Sequence, residues 1–111
     1  MTINIRTVDQ VTILDLNGPF KAGEAEQAFR NSVGEVLSAS VTNLAVNLAG
    51  VSFLDSSGVG ALVRAFSALK ERGGEFRLFG ASKQAAQTLR MVRLDKVLGL
   101  AEDEAAALAS F

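Results

Sequence analysis

Asp55, Ser56, Ser57 and Gly58 stand together in the stretch F-L-D-S-S-G-V-G, Phe53 to Gly60, between an apolar strand-like run and an apolar helix-like run. An acid followed by two small hydroxyls at a strand-to-helix turn supports a definite chemistry. Amides of a first helical turn lack partners inside the helix and carry its positive dipole end, so a hydroxyl there can be presented to a partner or can carry a phosphate. The Asp55 carboxylate can accept from amides one or two residues inside the helix, which would hold Ser56 in one orientation. Gly58 and Gly60 cost about 1 kcal/mol each relative to Ala in a helix interior. The missing bulk would let a partner's backbone or a phosphate approach the hydroxyl. Asp-Ser-Ser-Gly is also an ordinary capping sequence, and on spacing alone a plain helix start is the commoner reading.

Composition narrows what a serine can do here. The chain has no His and no Cys, so the usual general base, the thiol nucleophile, thiolate zinc sites and disulfides are all absent. Neither Ser56 nor Ser57 has a lysine three residues on to act as a base instead. We therefore expect no enzyme, no resident metal and no cofactor. With 111 residues, 49% of them hydrophobic, the chain suits one domain spanning residues 1–111. The N-terminus carries no basic segment followed by a long apolar one, and no apolar run approaches about 18 residues. A soluble, cytoplasmic protein without a membrane partner is expected.

The net charge of −1 conceals an uneven distribution. Between residues 60 and 96 lie eight cations (Arg64, Lys70, Arg72, Arg77, Lys83, Arg90, Arg93 and Lys96) against Glu71, Glu75 and Asp95. They are spread over several predicted elements with few aromatics between them, so they read as solvated helix faces and not as a nucleic-acid footprint.

The elements that must position the serines follow from periodicity. Ile3 and Ile5 alternate with polar neighbours, Asp9-Gln10 makes a tight connection, and Val11 to Leu16 forms a second strand that Gly18-Pro19 ends. Ala25, Phe29, Val33, Val36 and Leu37 recur at helical spacing from about Gly23 to Leu37. Leu44 to Leu48 is a strand; Gly50, Val51, Phe53 and Leu54 then lead the chain out of it. Val59 to Leu69 is a helix closed by Gly73-Gly74, and Phe76 to Phe79 a strand. Ser82 caps a helix bearing Ala85, Leu89 and Val92 on its apolar face, Val97 to Leu100 is a weak strand, and Glu102 to Glu104 open a final helix. The order is ββαβαβαβα: an α/β domain with a mostly parallel mixed sheet of four to five strands and about four helices. Sites in such sheets gather beyond the strands' carboxyl ends, where Phe53 to Gly60 falls.

Some apparent motifs dissolve on inspection. Gly73-Gly74-Glu75-Phe76 lacks one acid of the diguanylate cyclase signature, and Gly58-Val59-Gly60 lacks the third glycine of a dinucleotide fingerprint.

Three stretches together carry a family resemblance: V-T-I-L-D-L-N-G (Val11 to Gly18), N-L-A-G-V-S-F-L-D-S-S-G-V-G-A-L-V (Asn47 to Val63) and R-G-G-E-F-R-L-F (Arg72 to Phe79). They are similar to the STAS domain of bacterial anti-sigma-factor antagonists. The resemblance implies a partner switch in which Ser56, with Ser57 as the alternative acceptor, is phosphorylated by an anti-sigma factor that is itself an ATP-using serine kinase. The unmodified antagonist binds that kinase and frees the sigma factor, and a PP2C-type phosphatase restores it. The helix N-terminus is expected to offset part of the phosphate's charge within the free protein. Asp55, Ser57, Gly58, Val59, Gly60, Phe53, Leu54 and Arg64 are then the expected positioning or partner-contact residues. The resemblance also admits an unphosphorylated STAS scaffold, such as a subunit beside a transporter ATPase. One region departs from the family: many antagonists carry Leu-Asp after the glycine that ends the second strand, whereas Gly18 here is followed by Pro19, Phe20, Lys21 and Ala22. Partner specificity does not carry over at that loop.

Overall fold

Asp9 and Gln10 both adopt positive φ, 49° and 68°, the backbone a two-residue hairpin needs to match the twist of its strands. They join β1 (Thr2–Val8) to β2 (Val11–Phe20). The computed structural model describes all residues, 1–111, and continues with α1 (Glu24–Ser38), β3 (Asn43–Leu54), α2 (Ser56–Glu71), β4 (Glu75–Phe79), α3 (Lys83–Met91), β5 (Leu100–Ala101) and α4 (Glu104–Ala109). The order of elements is the one the sequence predicts.

The strands lie side by side in chain order, β1 antiparallel to β2 and every later pairing parallel. A chain that always advances in one direction with crossovers of one hand drops its connecting helices on one face. Accordingly Phe29, Val33 and Val36 of α1, Leu62 and Leu69 of α2 and Leu89 of α3 share one core with Leu14, Leu16, Val46, Leu48 and Leu78 of the sheet. Side chains alternate along a strand, so Ile13 and Ala45 face the other way, where Ala107 of α4 covers them together with Val11 and Phe79.

Two strands run further than expected. Beyond Asn17 the hairpin partner has ended at Thr2, so β2 is an edge there and Pro19, which has no N–H to donate, still pairs with Phe53. Register shifts fall between Asp15 and Asn17 and between Gly18 and Pro19, and Gly18 takes φ 118°. β3 accordingly stays extended through Leu54, six residues past Leu48. At the other end the expectation of a strand over Val97 to Leu100 fails. Turn hydrogen bonds from the Leu98 amide to the Leu94 carbonyl and from the Leu100 amide to the Asp95 carbonyl consume that segment, leaving β5 two residues long. Val92, expected in the core, is the exposed C-cap of α3.

Asp15 and Asn47, polar interruptions of two apolar strands, belong to a cluster on the α4 side. Arg6 donates to Asp15 through Nε at 2.7 Å and Nη2 at 3.1 Å, and to Glu104 through Nη1 at 3.2 Å. Asn47 adds a donor to Asp15 at 2.8 Å and accepts from the Ala49 amide at 2.9 Å. The Arg6 guanidinium holds both carboxyls below the usual carboxylate range. Groups whose folded-state pKa is lowered stabilise the fold at pH values above their ordinary range and lose that contribution as pH falls through the lowered values. The melting midpoint should therefore stay nearly level from neutral pH to about pH 5 and fall below about pH 4. Arg6→Leu should start lower and decline less steeply in that range; melts followed by circular dichroism along a pH series check this, and a decline parallel to the parent's would reject the assignment.

Candidate functional site

β3 is the middle strand of five, and its carboxyl end is fixed from two sides. The Asp55 amide donates to the Phe20 carbonyl at 3.4 Å. From α3, the Gln84 side chain accepts from the Leu54 amide at 2.9 Å and donates to the Leu54 carbonyl at 2.8 Å. Leu54 itself is 1% exposed, so backbone and side chain of this residue are both pinned before the turn begins.

Asp55 is the N-cap of α2 with an extended backbone, and one carboxylate oxygen accepts from the Ser57 amide at 2.9 Å and the Gly58 amide at 3.1 Å. Its carbonyl takes the Val59 amide at 3.0 Å. Ser56 is therefore the first helical residue and is exposed, while Ser57, one position further in, is half-buried. The arrangement presents one hydroxyl outward on a turn that is already hydrogen-bonded.

The residues expected around Ser56 divide when placed in space. Phe53 is 47% exposed at the strand end, whereas Leu54 and Val59 (7% exposed) are core. Gly58 is buried, and a Cβ there would lie 2.6 Å from both the Phe20 carbonyl oxygen and Leu54 Cδ1. Its lack of bulk is required by packing within the chain, which corrects the expectation of clearance for a partner. Gly60 differs: a Cβ would meet only Arg64 Nη1, at 3.5 Å, so nothing inside the chain demands glycine and clearance remains its reading. Arg64 turns toward α1, 3.7 Å from Glu26, beside a groove of about 270 Å³ lined by Phe29, Val33 and Ala61. Lys21, exposed and in no ion pair, follows directly on Phe20 and so stands at the same end of the sheet as Asp55.

One contributor to the site escapes a reading of the sequence. Gln84 is one of several polar residues on an amphipathic helix, with nothing in its spacing to mark it as the tie to Leu54. The Asp15 and Asn47 pair did leave a signal, a polar residue in the middle of each of two apolar strands.

Comparison with known proteins bears on the domain as a whole. The model of the STAS domain family matches residues 2–107. The anti-sigma-B factor antagonist of Listeria monocytogenes is 34% identical over 87 residues, covering 75% of this chain and 71% of that protein. An anti-sigma factor antagonist from Mycobacterium paratuberculosis has the same fold, with a TM-score of 0.88 at 24% identity over 98% of this chain and 92% of its own. The Bacillus cell fate determinant SpoIIAA, solved in its phosphorylated form, superimposes with a TM-score of 0.75 at 21% identity, over 99% of this chain and 100% of its own.

Proposed function

The chain belongs to the STAS domain family, and from that premise we propose that it is an anti-sigma-factor antagonist switched by phosphorylation of Ser56. The unmodified protein binds an anti-sigma factor that is a serine kinase and so releases the sigma factor; the kinase, using its own bound ATP, transfers the γ-phosphate to the Ser56 hydroxyl and loses its grip on the product. A PP2C-type phosphatase hydrolyses the ester and resets the cycle. The antagonist is substrate and ligand throughout.

The observation that carries this reading is the exposure of Ser56 at the first position of α2, on a turn where the next two amides are already taken. Asp55 holds the Ser57 and Gly58 amides, so a phosphate on Ser56 finds those donors occupied and adds about −1.5 to −2 charges beside an existing carboxylate. The helix end offsets less of that charge than the sequence suggests. The uncompensated remainder faces outward, where a partner would have to desolvate it.

Incubation with ATP and candidate kinase-type anti-sigma factors from the same genome tests the reading. Intact-mass analysis should show a single added phosphate that is absent from Ser56→Ala and retained in Ser57→Ala. Retention of the phosphate in Ser56→Ala, or no transfer from any kinase that binds the protein, would overturn it.

A further inference from the structure

We propose that the turn joining α3 to β5 is a second, independent interaction surface that docks on anionic lipid headgroups at a bilayer. Of the five large hydrophobic side chains the protein exposes, three fall within seven residues of this turn: Met91 at 76%, Val92 at 52% and Val97 at 54%. Arg90, Arg93 and Lys96 are interleaved with them, all exposed, and none takes part in any ion pair of the protein. Clustered apolar side chains rimmed by free cations mark an interaction site.

The turn cannot fold these apolar groups inward. Leu89 and Leu98, each 0% exposed, already fill the core beneath it. The backbone is tied by the Leu94 amide to the Leu89 carbonyl at 2.9 Å, the Leu98 amide to the Leu94 carbonyl at 2.9 Å and the Gly99 amide to the Lys96 carbonyl at 3.1 Å. Arg93 takes φ 60°, a left-handed backbone that glycine would adopt with less strain, yet the position holds a cation.

The size and chemistry of the patch favour a lipid surface over a protein. Six side chains on one turn fall well short of the 20 to 30 residues a side of a typical stable protein interface. Peripheral attachment asks for less: a few apolar side chains at headgroup depth, plus cations that each raise partitioning on an anionic surface about five-fold. Asp95 and Glu102 lie beside Arg90 around a depression of about 340 Å³, so the side offered to lipid is that of Met91, Val92, Arg93, Lys96 and Val97. No long apolar run is needed for such contact, which is why hydropathy along the sequence gives no sign of it.

The placement leaves the serine site free. Gln84, near the start of α3, touches Leu54 beside Ser56, and the helix runs from there to Met91, about 10 Å further at the usual rise. Lipid docking would thus hold the antagonist at a membrane with Ser56 still open to solvent.

Co-sedimentation of the full chain with vesicles tests the proposal. Vesicles of equal parts phosphatidylglycerol and phosphatidylcholine should bind it about 25-fold better than pure phosphatidylcholine, the product of two cations at about five-fold each, with the difference shrinking as salt is added. Arg93→Glu with Lys96→Glu should abolish the preference, and Met91→Ser with Val97→Ser should weaken binding at least several-fold; all four positions are exposed, and unchanged melting would confirm intact folding. Equal binding to both vesicles, no binding to either, or variants that bind like the parent would overturn it. Binding to soluble polyglutamate but not to vesicles would assign the patch to an acidic protein and overturn the lipid reading.

Discussion

Ser56→Asp is expected to bind the kinase partner about 100- to 1000-fold more weakly than the parent, and Ser56→Ala to bind within a few-fold of it. The physical basis is local. A carboxylate at position 56 stands next to the Asp55 carboxylate, whose oxygen already holds the amides of Ser57 and Gly58, so the new charge has few donors of its own and must be desolvated against the partner. Such a buried, unpaired charge costs about 3 to 4 kcal/mol, which is the stated loss in affinity. Alanine removes an exposed hydroxyl and leaves the cap, the strand end and the core as they are. Titration calorimetry with the purified kinase measures both, and equal affinities for the two variants would sink the charge switch. Both variants should melt within a degree or two of the parent, because position 56 is exposed and surface changes of this kind are worth about 0.5 kcal/mol.

Gly58→Ala should, in contrast, damage the fold. The added Cβ would sit 2.6 Å from the Phe20 carbonyl oxygen and 2.6 Å from Leu54 Cδ1. Neither neighbour is free to yield: Phe20 pairs with Leu54 across the sheet and its carbonyl accepts from the Asp55 amide, while Leu54 is buried and clamped by Gln84. Overpacking of this kind costs about 2 to 3 kcal/mol, or roughly 10 °C in the melting midpoint of a domain this size. Gly60→Ala is the matched comparison. With only a 3.5 Å contact to Arg64, it gains helix propensity and should stabilise by about 0.5 to 1 kcal/mol. If Gly60 gives a partner room, the same variant binds the kinase more weakly while melting higher. Equal midpoints for Gly58→Ala and the parent would show that α2 starts elsewhere than the geometry indicates.

The contrast between those two glycines shows where a sequence stops being informative. The order of elements, the Asp9-Gln10 hairpin, the Ser82 and Asp55 caps and the helix faces were legible because each is written in neighbouring residues, as periodicity, turn chemistry or a capping side chain. Whether Gly58 or Gly60 makes room for the chain itself depends on Phe20, 38 residues away, and no local pattern records that. The ends of β2 and β3 were misread for a related reason. Pro19 looks like a strand stop until β1 is seen to finish opposite Asn17, which leaves the proline on an edge. Val92 fits the apolar stripe of α3 by spacing, but that helix ends one residue earlier and the position points to solvent.

Asp55 and Gln84 also set the tempo of any exchange of partners. With the strand end tied to α3 and the Ser57 and Gly58 amides satisfied before a partner arrives, this turn has no need to order itself during encounter, and association should proceed at the roughly 10⁵ to 10⁷ M⁻¹s⁻¹ typical of preformed surfaces. A change at Ser56 would then be felt almost wholly in how long a complex lasts. Under the proposed function, the response time of the circuit would be the lifetime of one bound pair, set at an interface and not by a rearrangement of this domain.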